Sequence, residues 1–389
     1  MMLALLLARY GLDVTVMEKH ADFLRDFRGD TVHASTLRLL DELGLGEQFA
    51  TLPHRMVDSV NAAIGDATVR MDLTRLPGTH KHIALVPQWD FLELLASAAR
   101  TEPGFRLMRS TDVLAPVRTG GRVTGVRYRG ADGVDREMAA DLVVASDGRD
   151  STLRTAAGLV PRSFGAPMDV WWFRLPRYED DPVGLNGRFA GGHGCALIDR
   201  GDYFQVAYLI RKGTDASLRA EGIQSLRDRM SSLVPWVAAR TSELTSFDDV
   251  KLLDVQLNRL RRWYVDGMLF IGDAAHAMSP IGGVGINLAI ADAVAAARIL
   301  AEPLASGTVT TRDLARVQAR RWLAAALIQR AQRTLQDRAV AGAIGNADAA
   351  RETPRAIRIA NRFPVLRRVA AYGVAIGPLP EHAPVWARR

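Results

Sequence analysis

Cysteine and lysine are both scarce in this sequence, and each shortage narrows the kinds of protein it can be. Cys195 is the one cysteine among 389 residues, which excludes a disulfide framework and a cysteine-based metal cluster within the chain. A lone thiol suits a reducing compartment, so we expect a cytoplasmic protein. His80 and His82 have no partner at metal-ligand spacing, and we therefore predict no metal site.

The charge balance is basic, although only four of the 50 Lys and Arg residues are lysine. Against 43 Asp and Glu they give a net charge of +7. This surplus suits a phosphate-bearing cofactor or an acidic substrate, and it is equally the condition of an ordinary solvated basic surface. We expect no nucleic-acid partner. No stretch reaches the roughly 18 uninterrupted apolar residues of a membrane span, so none is predicted.

The opening segment has the pattern of the second half of a nucleotide-binding βαβ unit. The apolar run 1–8 predicts a buried helix that ends before Gly11, and residues 13–17 predict a strand that closes on Glu18. An acidic residue at such a strand tip binds ribose. No opening strand and no G-x-G-x-x-G motif come before Met1. The expectation is a nucleotide-binding domain whose sequence begins just after its phosphate loop.

A strand-to-helix passage near residue 272 carries the clearest sign of a binding site. The apolar strand 267–271 runs into Gly272 and Asp273, and the glycine-rich turn 280–285 opens a long apolar helix at Ile286. A carboxylate at a strand end can accept hydrogen bonds from sugar or ribityl hydroxyls. The glycines let backbone approach a flat ring, and the helix amides favour negative charge there. A tight turn capped by an aspartate is the alternative interpretation.

Nucleotide-type elements recur at the start, near Asp147 and near Asp273, with β-rich stretches between them. We therefore predict an α/β fold in which a Rossmann-like domain is interleaved with a β-rich domain and followed by C-terminal helices. The predicted Rossmann-like segments are 1–60, 87–162 and 256–305, the β-rich segments are 61–86 and 163–255, and the helical region is 306–389.

Three motifs together resemble those of the flavin-dependent aromatic hydroxylases typified by p-hydroxybenzoate hydroxylase. They are Asp147-Gly148 followed by Ser151 and Arg154, Gly272-Asp273-Ala274-Ala275-His276, and Pro280-x-Gly-Gly-x-Gly. The resemblance extends from about Met1 to Leu300. It implies that the Rossmann-like domain binds FAD and that the β-rich domain binds substrate, with NADH or NADPH as transient reductant. The implied reaction uses O2 to hydroxylate an aromatic or related electron-rich small molecule through a flavin C4a-hydroperoxide.

The resemblance also implies roles for individual residues. Glu18, next to Lys19, is similar to the ligand of the adenosine ribose, Arg28 to an arginine that contacts FAD, and Gln88 to a residue beside the flavin's linker. Asp147 and Gly148 belong to a motif that contacts both FAD and the nicotinamide nucleotide. The ribityl chain and the pyrimidine edge of the ring are assigned to Gly272, Asp273, Pro280, Gly283, Gly285, Ile286 and Asn287. For each of these residues a purely structural role is the alternative. Glu18 could be a strand end, Arg28 a solvated arginine and Gln88 part of a helix cap, and Asp147 could start a turn with Gly148.

The substrate is expected beneath the β-rich domain, beside the strand that contains Trp171-Trp172-Phe173. Alternation along a strand puts Trp171 and Phe173 on one face, and we take these two as candidate substrate contacts, with packing in the sheet core as the alternative. No catalytic residue is assigned, because the cofactor carries the difficult step. His33 and His276 are the histidines nearest the expected flavin and are candidates for moving protons.

Two other functions stay open, as does self-association. Residues 171–176 are similar to the W-x-W-x-I-P motif of flavin-dependent halogenases, although Phe173 stands at the second tryptophan. A degenerate flavoprotein that binds ligands without turnover is the other alternative, because no phosphate loop is seen before Met1.

Overall fold

The computed structural model describes residues 1–23, 31–64, 67–337 and 363–389. Its α-helices are α1 Met2–Arg9, α2 Ala34–Glu42, α3 Gly46–Ala50, α4 Gln88–Arg100, α5 Thr152–Ala156, α6 Asp215–Ala220, α7 Ile223–Leu233, α8 Gly285–Ala305, α9 Thr311–Leu335 and α10 Pro364–Ala375. Short 3-10 helices cover Pro235–Glu243, Phe247–Asp249, Gly272–Ala274, Ile281–Gly283 and Val385–Ala387.

The strands of the described residues form six sheets. They are β1 Val14–Met17, β2 Thr31–Val32, β3 Arg55–Val57, β4 Ser59–Ile64, β5 Ala67–Asp72, β6 Ile83–Leu85, β7 Phe105–Met108, β8 Asp112–Thr119, β9 Arg122–Arg129, β10 Asp135–Ala139, β11 Val143–Ala145, β12 Arg162–Ser163, β13 Met168–Pro176, β14 Leu185–Ala190, β15 His193–Asp199, β16 Tyr203–Arg211, β17 Lys251–Leu253, β18 Asn258–Arg259, β19 Tyr264–Val265 and β20 Met268–Phe270. The sheet orders are β1-β7, β10-β9-β8, β11-β20-β19, β12-β18, β2-β6-β3 and the seven-stranded β17-β13-β16-β15-β14-β4-β5.

The Rossmann-like part is built from two parallel strand pairs and the helices that cover them. β1 runs parallel to β7, and β11 runs parallel to β20. All three residues of β20 are buried, as expected for a short strand covered on both faces. Residues Met2–Ala8 of α1 are buried as well, where α1 packs against α4 and α8. Burial of these apolar side chains fixes the carboxyl ends of the strands relative to the helix starts.

Helix α8 is the one helix of the described chain that is long and apolar enough to cross a membrane. It lies within the apolar segment Ile281–Ala305, and 61% of that segment's most apolar window is buried inside the fold. Ala293, Val294, Ala296 and Ala297 join the hydrophobic cluster that also contains α1. An apolar helix of this kind is typical of a protein core.

The seven-stranded sheet takes its strands from two separate stretches of the chain. β4 and β5 come from residues 59–72, and the other five strands come from residues 168–253. β14 pairs with β4 in parallel, and the remaining pairs are antiparallel. Helix α7 covers one face of this sheet with a buried apolar cluster. The mixed α/β class predicted from the sequence, with a β-rich interruption and C-terminal helices, is confirmed.

Candidate functional site

A cavity of about 2350 Å³ lies between the Rossmann-like part and the seven-stranded sheet. Drug-sized ligands occupy pockets of roughly 300–1,000 Å³, so this cavity has room for more than one such molecule. The predicted site residues that line it are Glu18, Lys19, Gln88, Asp147, Gly148, Gly272, Asp273, Pro280, Gly283, Gly285 and Ile286. Arg28 falls outside the described residues.

Two carboxylates reach this cavity from the carboxyl ends of parallel strands. Glu18 follows β1, and one of its side-chain oxygens accepts a hydrogen bond from the His20 amide at 3.0 Å. Asp273 follows β20, and its side chain is 31% exposed towards the cavity. Arg149 approaches Asp273 Oδ2 at 3.4 Å, which leaves most of the carboxylate's accepting capacity unused. Both groups can therefore accept hydrogen bonds from ligand hydroxyls.

Asp147 has a structural role as well as its place in the cavity wall. Its two oxygens accept hydrogen bonds from the Ser151 hydroxyl at 2.5 Å and from the Leu153 amide at 3.1 Å, which fixes the first turn of α5. The Ser151 oxygen in turn accepts the Arg154 amide at 3.0 Å. Gly148 has φ +86°, and a Cβ added there would meet nothing within 4 Å. The turn therefore presents bare backbone to the cavity.

The glycine turn before α8 is locked onto β2. Gly283 has φ +61°, and a Cβ added to it would lie 2.2 Å from Thr31 Oγ1. The Thr31 hydroxyl donates to the Gly283 carbonyl at 2.7 Å. Only glycine fits this close approach, and the hydrogen bond from Thr31 holds the turn in place.

Asn287 fastens the same turn from the other side and has no capacity left for a ligand. Its Nδ2 donates to the carbonyls of Thr31 at 3.0 Å and Gly283 at 3.2 Å. Its Oδ1 accepts from the His33 amide at 2.9 Å and the Thr36 hydroxyl at 2.8 Å. Four bonds exhaust a carboxamide. Ligand contacts at this helix start therefore fall to the backbone amides of the first turn, which an α-helix leaves without internal partners.

A buried ion cluster supports the loop that carries Asp273. Asp292 is fully buried within α8, and its Oδ2 accepts from His276 Nε2 at 2.6 Å and from the Gly272 amide at 3.2 Å. Its Oδ1 accepts from Arg321 Nε of α9 at 3.0 Å. Burial alone would raise the pKa of Asp292, but the charges and hydrogen bonds of His276 and Arg321 outweigh it and hold the pKa below its ordinary value. Asp292 and Arg321 were not predicted from the sequence, in which the available signal was a lone aspartate inside an apolar helical run.

The two candidate histidines have different surroundings. His276 does not line the cavity; it is 1% exposed, bonded to Asp292, and its ring lies 4.6 Å from that of Trp263. His33 lines the cavity wall, and its Nδ1 lies 2.7 Å from the Val374 carbonyl. Burial lowers the pKa of His33 to about 4, so the imidazole is neutral at physiological pH. A neutral His33 must donate from Nδ1 to that carbonyl, which leaves Nε2 as an acceptor.

The expected substrate contacts on β13 need a correction. Trp171 and Phe173 do share a face, but that face packs against α7 in the buried cluster, and the Trp171 indole donates to Asp215 at 2.6 Å. Val170 and Trp172 occupy the opposite face and line the cavity. Alternation along the sequence shows which residues of a strand share a face. It does not show which of the two faces is covered by a helix and which is open to the ligand.

The donor and acceptor set of this cavity fits FAD. It combines carboxylates for sugar hydroxyls, a bare glycine turn at a helix start, and apolar strand residues. Residues 1–331 match the model of the family described as FAD binding domain.

Known relatives agree with this fit. The 6-methylpretetramide 4-monooxygenase of Streptomyces rimosus is 36% identical over 379 residues, which cover 95% of this chain and 89% of that protein. Two solved structures share the fold. PqsL of P. aeruginosa in complex with 2-aminobenzoylacetate has a TM-score of 0.76 at 21% identity, covering 90% of this chain and 95% of PqsL. The OxyS anhydrotetracycline hydroxylase of Streptomyces rimosus has a TM-score of 0.73 at 23% identity, covering 96% of this chain and 73% of OxyS. The chain belongs to the FAD binding domain family and is an FAD-dependent monooxygenase reduced by NADH or NADPH.

Proposed function

We propose that this enzyme hydroxylates a fused-ring aromatic polyketide in the cavity between its Rossmann-like part and its seven-stranded sheet, in the cytoplasm. The reaction consumes O2, NAD(P)H and one proton, and it forms the hydroxylated product, NAD(P)+ and water. The substrate class is supported by the names of the Streptomyces relatives, 6-methylpretetramide 4-monooxygenase and anhydrotetracycline hydroxylase.

The Rossmann-like side of the cavity supplies the groups that would hold FAD. Glu18 would accept from the adenosine ribose and Asp273 from the ribityl chain, since each is a partly exposed carboxylate at a strand end. Lys19, Gln88 and the Asp147 turn would border the remainder of the cofactor. Bound FAD supplies the activation of O2 and the transfer of one oxygen atom to the substrate.

The start of α8 would face the reacting edge of the flavin ring. Its first-turn amides carry about half a positive charge, which favours negative charge on the ring. The Gly283 turn is fixed by Thr31 and Asn287, which would hold these amides in position beside the ring.

The sheet side of the cavity supplies an apolar surface and excludes water from the reacting atoms. Val170, Leu209, Ile198 and Leu185 line it from four different strands. An electron-rich ring packed on this surface would lie opposite the glycine turn. The observation that carries the proposal is that the cofactor-binding groups and this apolar sheet face open into one cavity.

The test is turnover under heavy oxygen. The purified chain would be supplied with FAD, NADH or NADPH, and ¹⁸O2, with 6-methylpretetramide as substrate and p-hydroxybenzoate as a single-ring comparison. We expect one ¹⁸O atom in each product molecule from the fused-ring compound, and no product with Asp273→Ala. The matched control Asp202→Ala, at an exposed turn, should retain activity. Reductant consumption without any oxygenated product, or chlorination when chloride is present, would contradict the proposal.

A further inference from the structure

A row of small residues crosses the cavity face of the seven-stranded sheet. Ala62 stands opposite Gly187, Gly187 opposite Ala196, Ala196 opposite Ala207, and Ala207 opposite Trp172. All five line the cavity. Directly paired residues project to the same face, and neighbouring strands lie about 4.8 Å apart, so the row is about 19 Å long.

Larger apolar residues flank this row on both sides, although Gly194 stands between Phe189 and Leu209 in one flanking line, where the Phe189 ring occupies the space beside it. Leu185 and Ile198 lie two residues along their strands in one direction, and Phe189 and Leu209 lie two residues along in the other. Each flanking line is about 7 Å from the row at the usual strand rise. All four flanking residues also line the cavity. The small residues therefore form the floor of a trough, and the larger ones form its two walls.

Trp172 closes one end of the trough with a hydrogen-bond donor. Its side chain is nearly buried, with 5% exposure, and its Nε1 has no hydrogen-bond partner among the described residues. The neighbouring Trp171, on the other face, donates to Asp215 Oδ1 at 2.6 Å. An indole N–H can only donate, and buried donors are almost always paired. The unpaired Trp172 N–H is therefore suited to an acceptor oxygen from a ligand in the cavity.

We propose that the trough determines substrate specificity by binding a planar molecule of several linearly fused rings. The ring faces lie on Ala62, Gly187, Ala196 and Ala207, and a carbonyl or hydroxyl oxygen at one end accepts a hydrogen bond from Trp172 Nε1. A single-ring phenol fills only part of this length and gains little from either feature. This inference rests on the proposed function, from which the aromatic character of the ligand is taken. It adds that the small residues of the trough select the length of the ligand and that Trp172 selects its terminal oxygen.

Equilibrium binding tests this directly and does not depend on turnover. The probes are a dihydroxyanthraquinone, which has three fused rings and carbonyl oxygens, and phenol, titrated calorimetrically into the FAD-saturated full chain. Ala196→Leu should weaken anthraquinone binding at least about tenfold and leave phenol binding unchanged, because the larger side chain fills the trough floor. Trp172→Phe should weaken anthraquinone binding about tenfold through loss of one hydrogen bond.

Trp171→Phe is the matched control for the indole donor. It removes a bond to Asp215 on the opposite face, so it should lower the unfolding midpoint without changing anthraquinone affinity. Trp172→Phe should weaken anthraquinone binding, and its unfolding midpoint should fall less than that of Trp171→Phe, because it loses packing volume but no hydrogen bond within the described residues. Unchanged anthraquinone binding in Ala196→Leu, equal effects of the two Trp→Phe variants, or failure of wild type to prefer the anthraquinone over phenol would overturn the inference. A chain that binds as expected but gives no ¹⁸O-labelled product would instead contradict the proposed function alone.

Discussion

Replacing Gly283 by alanine tests whether the turn before α8 is the flavin-binding element. The added Cβ would lie 2.2 Å from Thr31 Oγ1 and 3.2 Å from Thr31 Cβ, so Thr31 or the turn must move. The left-handed backbone at φ +61° costs a non-glycine residue about 1–2 kcal/mol. Loss of the hydrogen bond from Thr31 to the Gly283 carbonyl costs about 1 kcal/mol more. We expect Gly283→Ala to lower the free energy of unfolding by about 2–3 kcal/mol.

Gly282→Ala is a matched control in the same turn. Gly282 has φ +82°, but the nearest atom to its added Cβ is Val284 Cγ1 at 3.7 Å, an ordinary contact. This variant should lose about 1–2 kcal/mol from the backbone alone and keep the contact between Thr31 and Gly283. Urea unfolding measures both losses. Titration of FAD into each folded variant should show affinity about fivefold lower for Gly283→Ala than for Gly282→Ala, since the additional loss of about 1 kcal/mol corresponds to roughly a factor of five.

A double variant separates steric displacement from backbone strain. Thr31→Ala in the Gly283→Ala background removes the oxygen that clashes, so it should recover part of the lost FAD affinity. Equal FAD affinities of the Gly282→Ala and Gly283→Ala proteins, or no recovery in the double variant, would refute the view that the turn is held in its binding geometry by Thr31.

Three further predictions concern buried groups. Asp292→Asn should lower the free energy of unfolding by about 3 kcal/mol in urea, because buried Arg321 loses its nearer carboxylate and keeps Glu381 at 3.6 Å, whereas Asp202→Asn at an exposed turn should match wild type. Burial lowers the pKa of His33 from 6.5 to about 4, so the folded protein favours the neutral imidazole more than the unfolded chain does. This preference contributes about 3 kcal/mol to the free energy of unfolding; the contribution is fully present above pH 6.5 and is lost as the pH falls towards 4. The His33→Asn protein should show a flatter stability profile across that window, and an identical profile would contradict the assignment. Burial raises the pKa of Cys195 to about 12, so iodoacetamide at pH 8 should alkylate only the unfolded protein, as detected by mass spectrometry.

The features predicted well from the sequence are those carried by neighbouring residues. Gly272 and Asp273 follow an apolar strand directly, and the glycine turn 280–285 precedes an apolar helix directly, so local pattern alone indicates both elements. Asp147 and Gly148 follow strand β11 in the same way. Because parallel strands end at one edge of a sheet, the cofactor side of the cavity could be expected from these passages.

The features that the sequence did not reveal depend on contacts between distant residues. Thr31 and Gly283 are 252 residues apart, and nothing in the local pattern of either indicates that they touch. The cavity face of β13 is decided by α7, some fifty residues further along the chain, so the assignment of Trp171 and Phe173 was wrong and Trp172 was missed. Asp292 meets Arg321 across two helices. Such partners become visible only when packing is known.

A crystal structure of the FAD-saturated chain would show whether the Gly283 turn, Asp273 and Glu18 hold the cofactor. We expect the flavin ring beside the turn at Gly283 and the first amides of α8, the ribityl chain next to Asp273, and the adenosine ribose next to Glu18. Flavin density elsewhere on the molecule, with the groove between Asp273 and Glu18 filled only by solvent, would contradict this arrangement.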